Sequence, residues 1–497
     1  MARRPVAVDI PAIGALDRSR GSLSRQLAEA LRESVRKGDL KPGDPLPSSR
    51  TLAKSLQVAR GIVSEAFEQL VAEGILEAMS KSGTRVSGAL AVLHGEGTRL
   101  SATPLAGSKV MPASLKRYER VASEFMPLPN VPFAISVPVN QTAPDDIWRR
   151  LGNKVRARGP GAPSGYDEPQ GALVLREAIA DYVRRSRSVR CTADQVVITS
   201  GIQQALYLCC QILLQEGDSA WVEVPAYRGL TAILDYSVTG VRTVNVPIDT
   251  EGLDVSAGVG LAPNARVAFV TPSHQYPLGM PLSMSRRNAL LEWAREQGAW
   301  IVEDDYDSEL RYAGHPFPAL QGLDPDRVIY LGTFSKILFP SLRMGYAIVP
   351  SGMENAFCGA RILMDRHPPS ADQHVLAAFI NEGHLDRHIR RIRGVYAERR
   401  LQLVKLIEQH MPTELAWLQP SDQGMHVVLW LHKAADDLQI SRDALTSGVS
   451  VRPLSPLYRQ GQSLPGLILG LGDFENDQII TAITILSSLI SRDFNRS

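Results

Sequence analysis

The chain has 497 residues, 44% hydrophobic and 21% charged, with a formal net charge of +2. That length holds about two to four domains with ample core, and the near-neutral balance excludes a uniformly polybasic protein. The four cysteines form no CxxC pair, which excludes a disulfide framework and a zinc ribbon and leaves reduced, structural thiols in a cytoplasmic setting.

The opening MARRPVAVDIPAIGAL is interrupted by Asp9 and Pro11, so it does not read as a signal peptide. No uncharged apolar run reaches the roughly 18 residues of a membrane span. Charge is uneven: residues 1–88 hold 14 Lys/Arg against 10 Asp/Glu, which permits nucleic-acid binding by the front end.

In LSRQLAEALRESVRK, Leu23, Leu27, Leu31 and Val35 recur every fourth residue, one apolar stripe on a helix that Gly38 ends. Pro47-Ser48-Ser49 offers an N-cap for a second helix through Leu52, Ala53 and Leu56. After a short turn at Gln57-Val58-Ala59, a third helix is predicted from Arg60 to Glu73, with Gly74 as its stop. Two short helices across a tight turn form a helix-turn-helix pattern, whose second helix presents its N-terminal residues to base edges. Ile75-Leu76-Glu77 and Thr84-Arg85-Val86-Ser87 read as two short strands around Lys81-Ser82-Gly83, a wing.

Residues 88–124 are rich in Gly, Ser, Ala, Thr and Pro, with a basic patch at Lys116-Arg117-Tyr118-Glu119-Arg120, and are expected to be a flexible linker. From Phe125 onward a second body begins. Ser164–Gly171, SGYDEPQG, is a loop before a helix. Gln195–Thr199 is a strand, and Ser200-Gly201 opens onto a helix N-terminus, where backbone N–H groups make an anion site. Further strands are predicted at Ala220–Val224, Val241–Val246 and Arg266–Thr271, and a helix near Ser285–Gln297. This alternation predicts a mostly parallel sheet.

Two apolar runs, Ile301–Val302 and Val328–Leu331, break into polar residues in the manner of buried parallel strands. The first leads into Glu303, Asp304, Asp305 and Tyr306. The second leads into Gly332-Thr333-Phe334-Ser335-Lys336, and Arg343 follows. An acid, a phenol, a hydroxyl-flanked lysine and an arginine suit pyridoxal 5′-phosphate (PLP). The lysine amine forms a Schiff base, the carboxylate keeps the pyridine nitrogen protonated, and hydroxyls with a guanidinium hold the phosphate. Tyr227, after another strand, is free to stack on the ring. In TPSHQYPLG, His274 and Gln275 are both candidates to bond the ring hydroxyl, and Gln275 is counted with the site.

Residues 23–87 resemble the winged-helix DNA-binding domain of GntR-type regulators, through LKPGDPLPSSRTLA, EAFEQLVAEGILE and the SGT of the wing. The resemblance implies DNA contacts by Arg50, Arg60 and Ser64, with Gly83 entering the minor groove. Gly61, Ile62 and Gln57 depart from the family's usual residues, the last standing where a turn glycine is common. Residues 125–497 resemble fold type I aminotransferases through TSGIQQAL, TPSHQYPLG, VEDDYDSE and GTFSK.

The whole chain resembles the MocR/GabR subfamily. Three domains are expected: a winged helix over 1–87, a linker over 88–124, and an α/β aminotransferase-like body over 125–497 whose smaller C-terminal subdomain starts near 365. The resemblance implies that Lys336 carries PLP, Asp304 pairs with the pyridine nitrogen and Tyr306 with the ring oxygen. Tyr227 stacks on the ring. Ser200, Gly201, Ile202, Thr333, Ser335 and Arg343 surround the phosphate. Tyr166 would reach the neighbouring subunit's phosphate, so a homodimer, head-to-tail, is expected.

The final strand, Gly466–Gly470, lacks the substrate-carboxylate arginine of aminotransferases, and Arg452 is either its substitute or a surface charge. Three functions compete. The leading one is a PLP-dependent regulator that binds an operator and senses PLP, or an amine forming an external aldimine with it, with at most partial transamination. The second is an active aminotransferase with an accessory winged helix. The third is a DNA-binding regulator that uses the fold only to dimerise. No metal is expected.

Overall fold

The computed structural model describes residues 13, 16–19, 21–79, 83–88, 112–125, 129–135, 145–157, 165–314, 317–432, 434–459, 463–472 and 474–495. The chain divides into two units, residues 1–111 and 112–497.

In the first unit, helix α1 (Leu23–Lys37) turns its stripe of Leu27, Leu31 and Val35 inward, and Gly38 closes it in the left-handed region at φ 83°. Helix α2 (Ser49–Ser55) starts where the Thr51 amide donates to Ser48 Oγ at 3.1 Å, the N-cap expected from sequence. Helix α3 (Arg60–Ala72) follows a turn in which Gln57 holds φ 54°. Strands β1 (Leu76–Met79) and β2 (Gly83–Val86) pair antiparallel, Leu76 opposite Val86. Leu27, Leu31, Val63, Leu70 and Val86 are fully shielded from solvent and form the centre of this small core. Each contributes about 1.5–3 kcal/mol by burial. The wing tip, Lys81-Ser82, lies outside the described residues.

The second unit begins with α4 (Ala113–Glu124), α5 (Asp145–Ala157) and α6 (Leu173–Arg187). Then come β3 (Val196–Thr199), α7 (Ile202–Leu213), β4 (Ser219–Val224), α8 (Arg228–Tyr236), β5 (Arg242–Asp249) and β6 (Gly252–Leu253). The sheet is completed by β7 (Val267–Val270), β8 (Trp300–Asp305), β9 (Val328–Thr333) and β10 (Gly345–Ile348). The eight strands run in the order β3-β10-β9-β8-β7-β4-β5-β6. From β9 to β5 every neighbour is parallel, while β10 runs antiparallel between β3 and β9.

Side chains alternate to two cores. Val222 and Val302 face α7 and α8, whereas Trp221 and Ile301 face the helix Met284–Gln297, where Trp221 stacks on Trp293 at 3.8 Å. Cys209 and Cys210 sit in the first core. Burial pushes the Cys210 thiol up to about 12, which keeps it a protonated packing group.

The smaller subdomain is an antiparallel sheet of β11 (Ala416–Leu418), β12 (His426–Leu431), β13 (Arg452–Pro453) and β14 (Gly466–Gly470), ordered β11-β12-β14-β13. The helices His384–His410 and Asn476–Phe494 pack together beside it.

One expectation needs correction. Residues 113–124, read as flexible linker, are helix α4, and the second unit starts at 112 rather than 125. The apolar signal is weak because Leu115 and Tyr118 stay exposed. The helix is held by tertiary contact instead, including an ion pair from Glu124 to Arg228 on α8 at 2.6 Å. The rest of the expected linker, residues 89–111, lies outside the described residues. Strand β8 ends on its acids, with Glu303, Asp304 and Asp305 all buried. Among the described residues no helix is long and apolar enough to cross a membrane, and no His/Cys/Asp/Glu group could hold a metal ion.

Candidate functional site

Parallel strands deliver their C-terminal ends to one rim, and a cavity of about 840 Å³ opens there. Tyr227, Asp304, Tyr306, Ser335, Lys336 and Arg343 line it, as do Ile202 and Thr333.

At one end is Asp304. Alternation along β8 sends it away from Glu303 and Asp305, which have partners of their own. Glu303 accepts from the Leu320 and Gln321 amides at 3.1 Å each. Asp305 accepts from Arg187 Nε at 2.7 Å and from the Tyr330 hydroxyl. Asp304 Oδ1 is buried with no hydrogen-bond partner, as is Asp305 Oδ1, but of the two carboxyls only that of Asp304 lines the cavity. Burial, then repulsion from Asp305, Asp307 and Glu223, pushes its carboxyl up to about 8. Burial brings the Lys336 ammonium down to about 8. A shielded carboxylate oxygen without a partner demands a positively charged donor facing it.

Anion-holding groups gather at the turn from β3 to α7. Gly201 adopts φ 85°, which lets the chain turn sharply and leaves the first amides of α7 without a side-chain cap. Arg343 Nη2 donates to the Ser200 carbonyl at 2.9 Å. A Cβ on Gly201 would stand 3.4 Å from that nitrogen, so the guanidinium lies close against the turn. Thr333 Oγ1 accepts from the Ser335 amide at 3.2 Å, and Ser335 Oγ is buried without a partner.

Tyr227 forms a wall. Its hydroxyl donates to Gln203 Oε1 at 3.1 Å, and burial pushes the phenol up to about 12. The Tyr306 oxygen lies 2.9 Å from His274 Nδ1, which also meets Asp307 Oδ2 at 2.9 Å. A proton on Nδ1 goes to the carboxylate, the stronger acceptor, so the Tyr306 O–H is free to donate into the cavity. Burial holds the Tyr306 phenol well above its ordinary range, which keeps it a donor.

The sequence-predicted set is therefore largely brought together, with three exceptions. Gln275 does not line the cavity. Its amide nitrogen donates to the Pro225 and Tyr276 carbonyls at 2.8 and 2.7 Å, and its oxygen accepts from the Leu278 amide, so it braces its own loop. His274 acts behind Tyr306 rather than in the cavity. Tyr166 lies outside it too, 76% exposed, with the Arg366 guanidinium 4.1 Å above its ring.

Several lining residues went unread. Tyr276 stands edge-on to Tyr227 and Tyr306, at 5.8 and 5.9 Å. Arg452, named from sequence with its role left open, lies on β13 opposite Ile468 of β14 and lines the cavity. Glu124 and Phe125, at the end of α4, also line it. Tyr276 had a signal in the TPSHQYPLG loop. Glu124 had none, because its helix was not expected.

On the first unit, Arg50 and Arg60 are the second residue of α2 and the first of α3, and both are exposed. Arg60 Nε donates to Ser49 Oγ at 3.4 Å, which draws the two helix starts together. Ser64 is half-buried on α3, and Gly83 is exposed at the start of β2 with φ 84°.

The chain thus joins a winged-helix unit to a fold type I aminotransferase-like unit. The family description "Aminotransferase class I and II" matches residues 140–464, and "Bacterial regulatory proteins, gntR family" matches residues 23–86. The chain belongs to the aminotransferase class I and II family and, within it, to the MocR-like branch that carries a gntR-family domain in front. It is 35% identical to the probable rhizopine catabolism regulatory protein MocR of Rhizobium meliloti, over 94% of this chain and 93% of that protein. It is 34% identical to the HTH-type pyridoxine biosynthesis transcriptional regulator PdxR of Corynebacterium glutamicum, over 95% and 96%. Among solved structures, Pyrococcus horikoshii kynurenine aminotransferase, in complex with PMP, matches with a TM-score of 0.66 at 28% identity, over 78% of this chain and 96% of that one.

Proposed function

We propose that this protein is a cytoplasmic, PLP-dependent transcriptional regulator. It binds an operator through its winged helix and senses PLP, or an amine condensed with it, through the aminotransferase-like unit. One observation carries the reading: a buried, unpartnered Asp304 oxygen and an intact lysine face one cavity, in a chain whose front unit exposes two arginines at helix starts. A scaffold used only for dimerisation has no need of that costly acid.

Bound PLP would supply an electron-withdrawing ring and an aldehyde for the lysine. The chain's residues do the rest. Asp304 holds a proton on the ring nitrogen. Tyr227 covers a ring face, and Tyr306 donates to the ring oxygen. Arg343, the α7 amides, Thr333 and Ser335 hold the phosphate. Arg452 offers a guanidinium to the carboxylate of an amino-acid effector. Two copies would place Tyr166 of each near the other's phosphate and set two winged helices at the half-site spacing of the operator.

The test is a titration of full-length protein, with and without PLP, against two-half-site DNA selected from a random pool. A change in affinity of roughly 5–150-fold or in DNA bending, abolished by Asp304→Ala, is expected. Equal affinity and bending in every state would overturn the sensor role and favour an enzyme.

A further inference from the structure

A second cavity, of about 460 Å³, lies apart from the first, between α4, the end of α8 and strand β5. Arg117 on α4, Asp235 and Tyr236 on α8, Thr243 and Asn245 on β5, and Arg459 line it. Its charge is one-sided. Both Asp235 oxygens are committed, Oδ1 to Arg459 Nη2 and Oδ2 to Arg228 Nη1 at 3.3 Å. No carboxylate pairs with Arg117 among the described residues. On the cavity wall one acid thus faces two guanidinium groups, and it is shared with a third, Arg228, which Glu124 also holds. Three lining residues also keep a buried polar atom with no partner: Arg117 Nε, Arg459 Nη1 and Asn245 Oδ1. Two are donors on cations and one is a neutral acceptor. Unmet groups of this kind are costly, and three around one cavity outside the cofactor site call for a common ligand.

We propose that this cavity is an accessory site for a small oxyanion that also carries a hydroxyl or amino group, such as a hydroxy acid. The oxyanion spans the Arg117 and Arg459 guanidinium groups, and the second group donates to Asn245 Oδ1. Guanidinium suits this role because its planar fork matches carboxylate or phosphate oxygens. Occupancy bears on the first cavity through a chain of charges. Arg459 pairs with Asp235, Asp235 with Arg228, and Arg228 with Glu124 at 2.6 Å, and both Arg228 and Glu124 line the first cavity. An anion that draws Arg459 away frees Asp235 to hold Arg228 more tightly, at the expense of Glu124 on α4. Helix α4 is the first element of the second unit after the winged-helix region, so its seating is what this site would control.

Full-length protein is titrated calorimetrically with L-lactate, D-glycerate and inorganic phosphate, none of which has an amine that could react with PLP. At least one should bind saturably, with Arg117→Ala and Arg459→Ala each weakening it tenfold or more. Propionate, which lacks the hydroxyl, should bind more weakly than lactate. The absorbance of the PLP-loaded protein should be unchanged in Arg117→Ala, and hydrogen exchange over residues 113–124 should change on binding in the wild type but not in Asp235→Asn. Arg459→Ala removes a partner of Asp235 and risks the local fold, so Arg117→Ala and Asn245→Ala carry the test independently. No saturable binding up to about 50 mM, far weaker than the roughly −4 kcal/mol of a millimolar site, overturns the proposal. So does binding that neither Arg117→Ala nor Asn245→Ala alters, or binding lost only in Arg452→Ala, which would place the acid in the cofactor cavity.

Discussion

The two units handle charge differently. In the winged helix every ion pair among the described residues is at the surface: Arg32 meets Glu73 at 2.9 Å with both side chains about one-third exposed, and Arg36 meets Glu33 at 2.6 Å near water. Arg50 and Arg60, the proposed DNA contacts, are likewise exposed. The aminotransferase-like unit has exposed pairs too, such as Lys154 with Glu382 at 2.8 Å, but it also buries charge outright. Arg187 and Asp305 pair at 2.7 Å with 2% and 1% of their side chains exposed, beneath a strand whose next carboxylate, Asp304, has an oxygen with no partner. A surface that reads DNA can keep its charges solvated. A cradle for a charged ring must hold one charge out of water until its counterpart arrives.

The largest expected effect tests that cradle at its centre. Lys336→Ala should remove all borohydride-sensitive visible absorbance from protein loaded with PLP and dialysed, because no other lysine lines the cavity. Protein that stays coloured would move the covalent attachment elsewhere.

Buried and exposed pairs should then separate in stability. Arg187→Met leaves Asp305 buried beside Tyr330 alone and should cost about 3–5 kcal/mol in urea unfolding. Arg32→Met should cost about 0–1 kcal/mol, since an exposed pair gains little over solvated charges. Equal losses would erase the contrast between the units.

Asp304 adds a dependence on pH. Its carboxyl rises from 3.8 to about 8 in the PLP-free protein. Folding therefore favours the protonated acid, and that contribution is present below pH 3.8 and is lost as pH rises toward 8. Asp304→Asn should thus stabilise the PLP-free protein more at pH 9 than at pH 5, while weakening PLP retention at both. Denaturation midpoints at the two pH values measure the first effect, and dialysis the second. Lys336 gives the kinetic counterpart: its amine is neutral above about 8, so PLP uptake should quicken as pH rises to that value and then level off.

On the winged helix, Arg60→Ala should cost about 1–3 kcal/mol of operator affinity if it reads a base. If it touches phosphate, all sequences weaken together and the salt slope falls by about one unit. Unchanged binding to selected DNA would take Arg60 out of the interface.

Sequence disclosed these units unequally, for a physical reason. Periodicity reports which face of an element is buried, so α1, α3 and the central parallel strands were legible, while β6, β10, β11 and β13 were not. So were Lys336, Asp304, Tyr306 and Arg343, because each lies on or just beyond a recognisable strand. Periodicity does not report partners distant in the chain. Arg187 sits in RRSRS and reads as a solvated charge, yet it neutralises an aspartate 118 residues away. Arg452 reached the cavity by pairing between β13 and β14, a register no local pattern encodes. Helix α4 was missed because an ion pair to α8 fixes a segment with little apolar stripe. Gln275 was over-read, since a polar side chain in a loop can serve the loop.

The smallest expected effect is at Gln57. Its φ of 54° puts a side chain in the left-handed region, where a Cβ crowds the following carbonyl at a cost of roughly 1–2 kcal/mol. Gln57→Gly removes that strain. The side chain is exposed, and the local bond that Gln57 supplies, its carbonyl accepting from Arg18 Nη2 at 3.2 Å, belongs to the backbone and survives. Glycine also gives the unfolded chain more freedom, which takes back about 0.5–1 kcal/mol. The net change should be a gain of a few tenths of a kcal/mol to about 1 kcal/mol, read as slower hydrogen exchange across α2 and α3 in the full-length protein. The same substitution loosens the turn that fixes α2 against α3, so operator affinity should hold or fall slightly even as stability rises. Faster exchange in both helices would mean that the turn is held by something other than its backbone, and that Gln57 is not a strained stand-in for glycine.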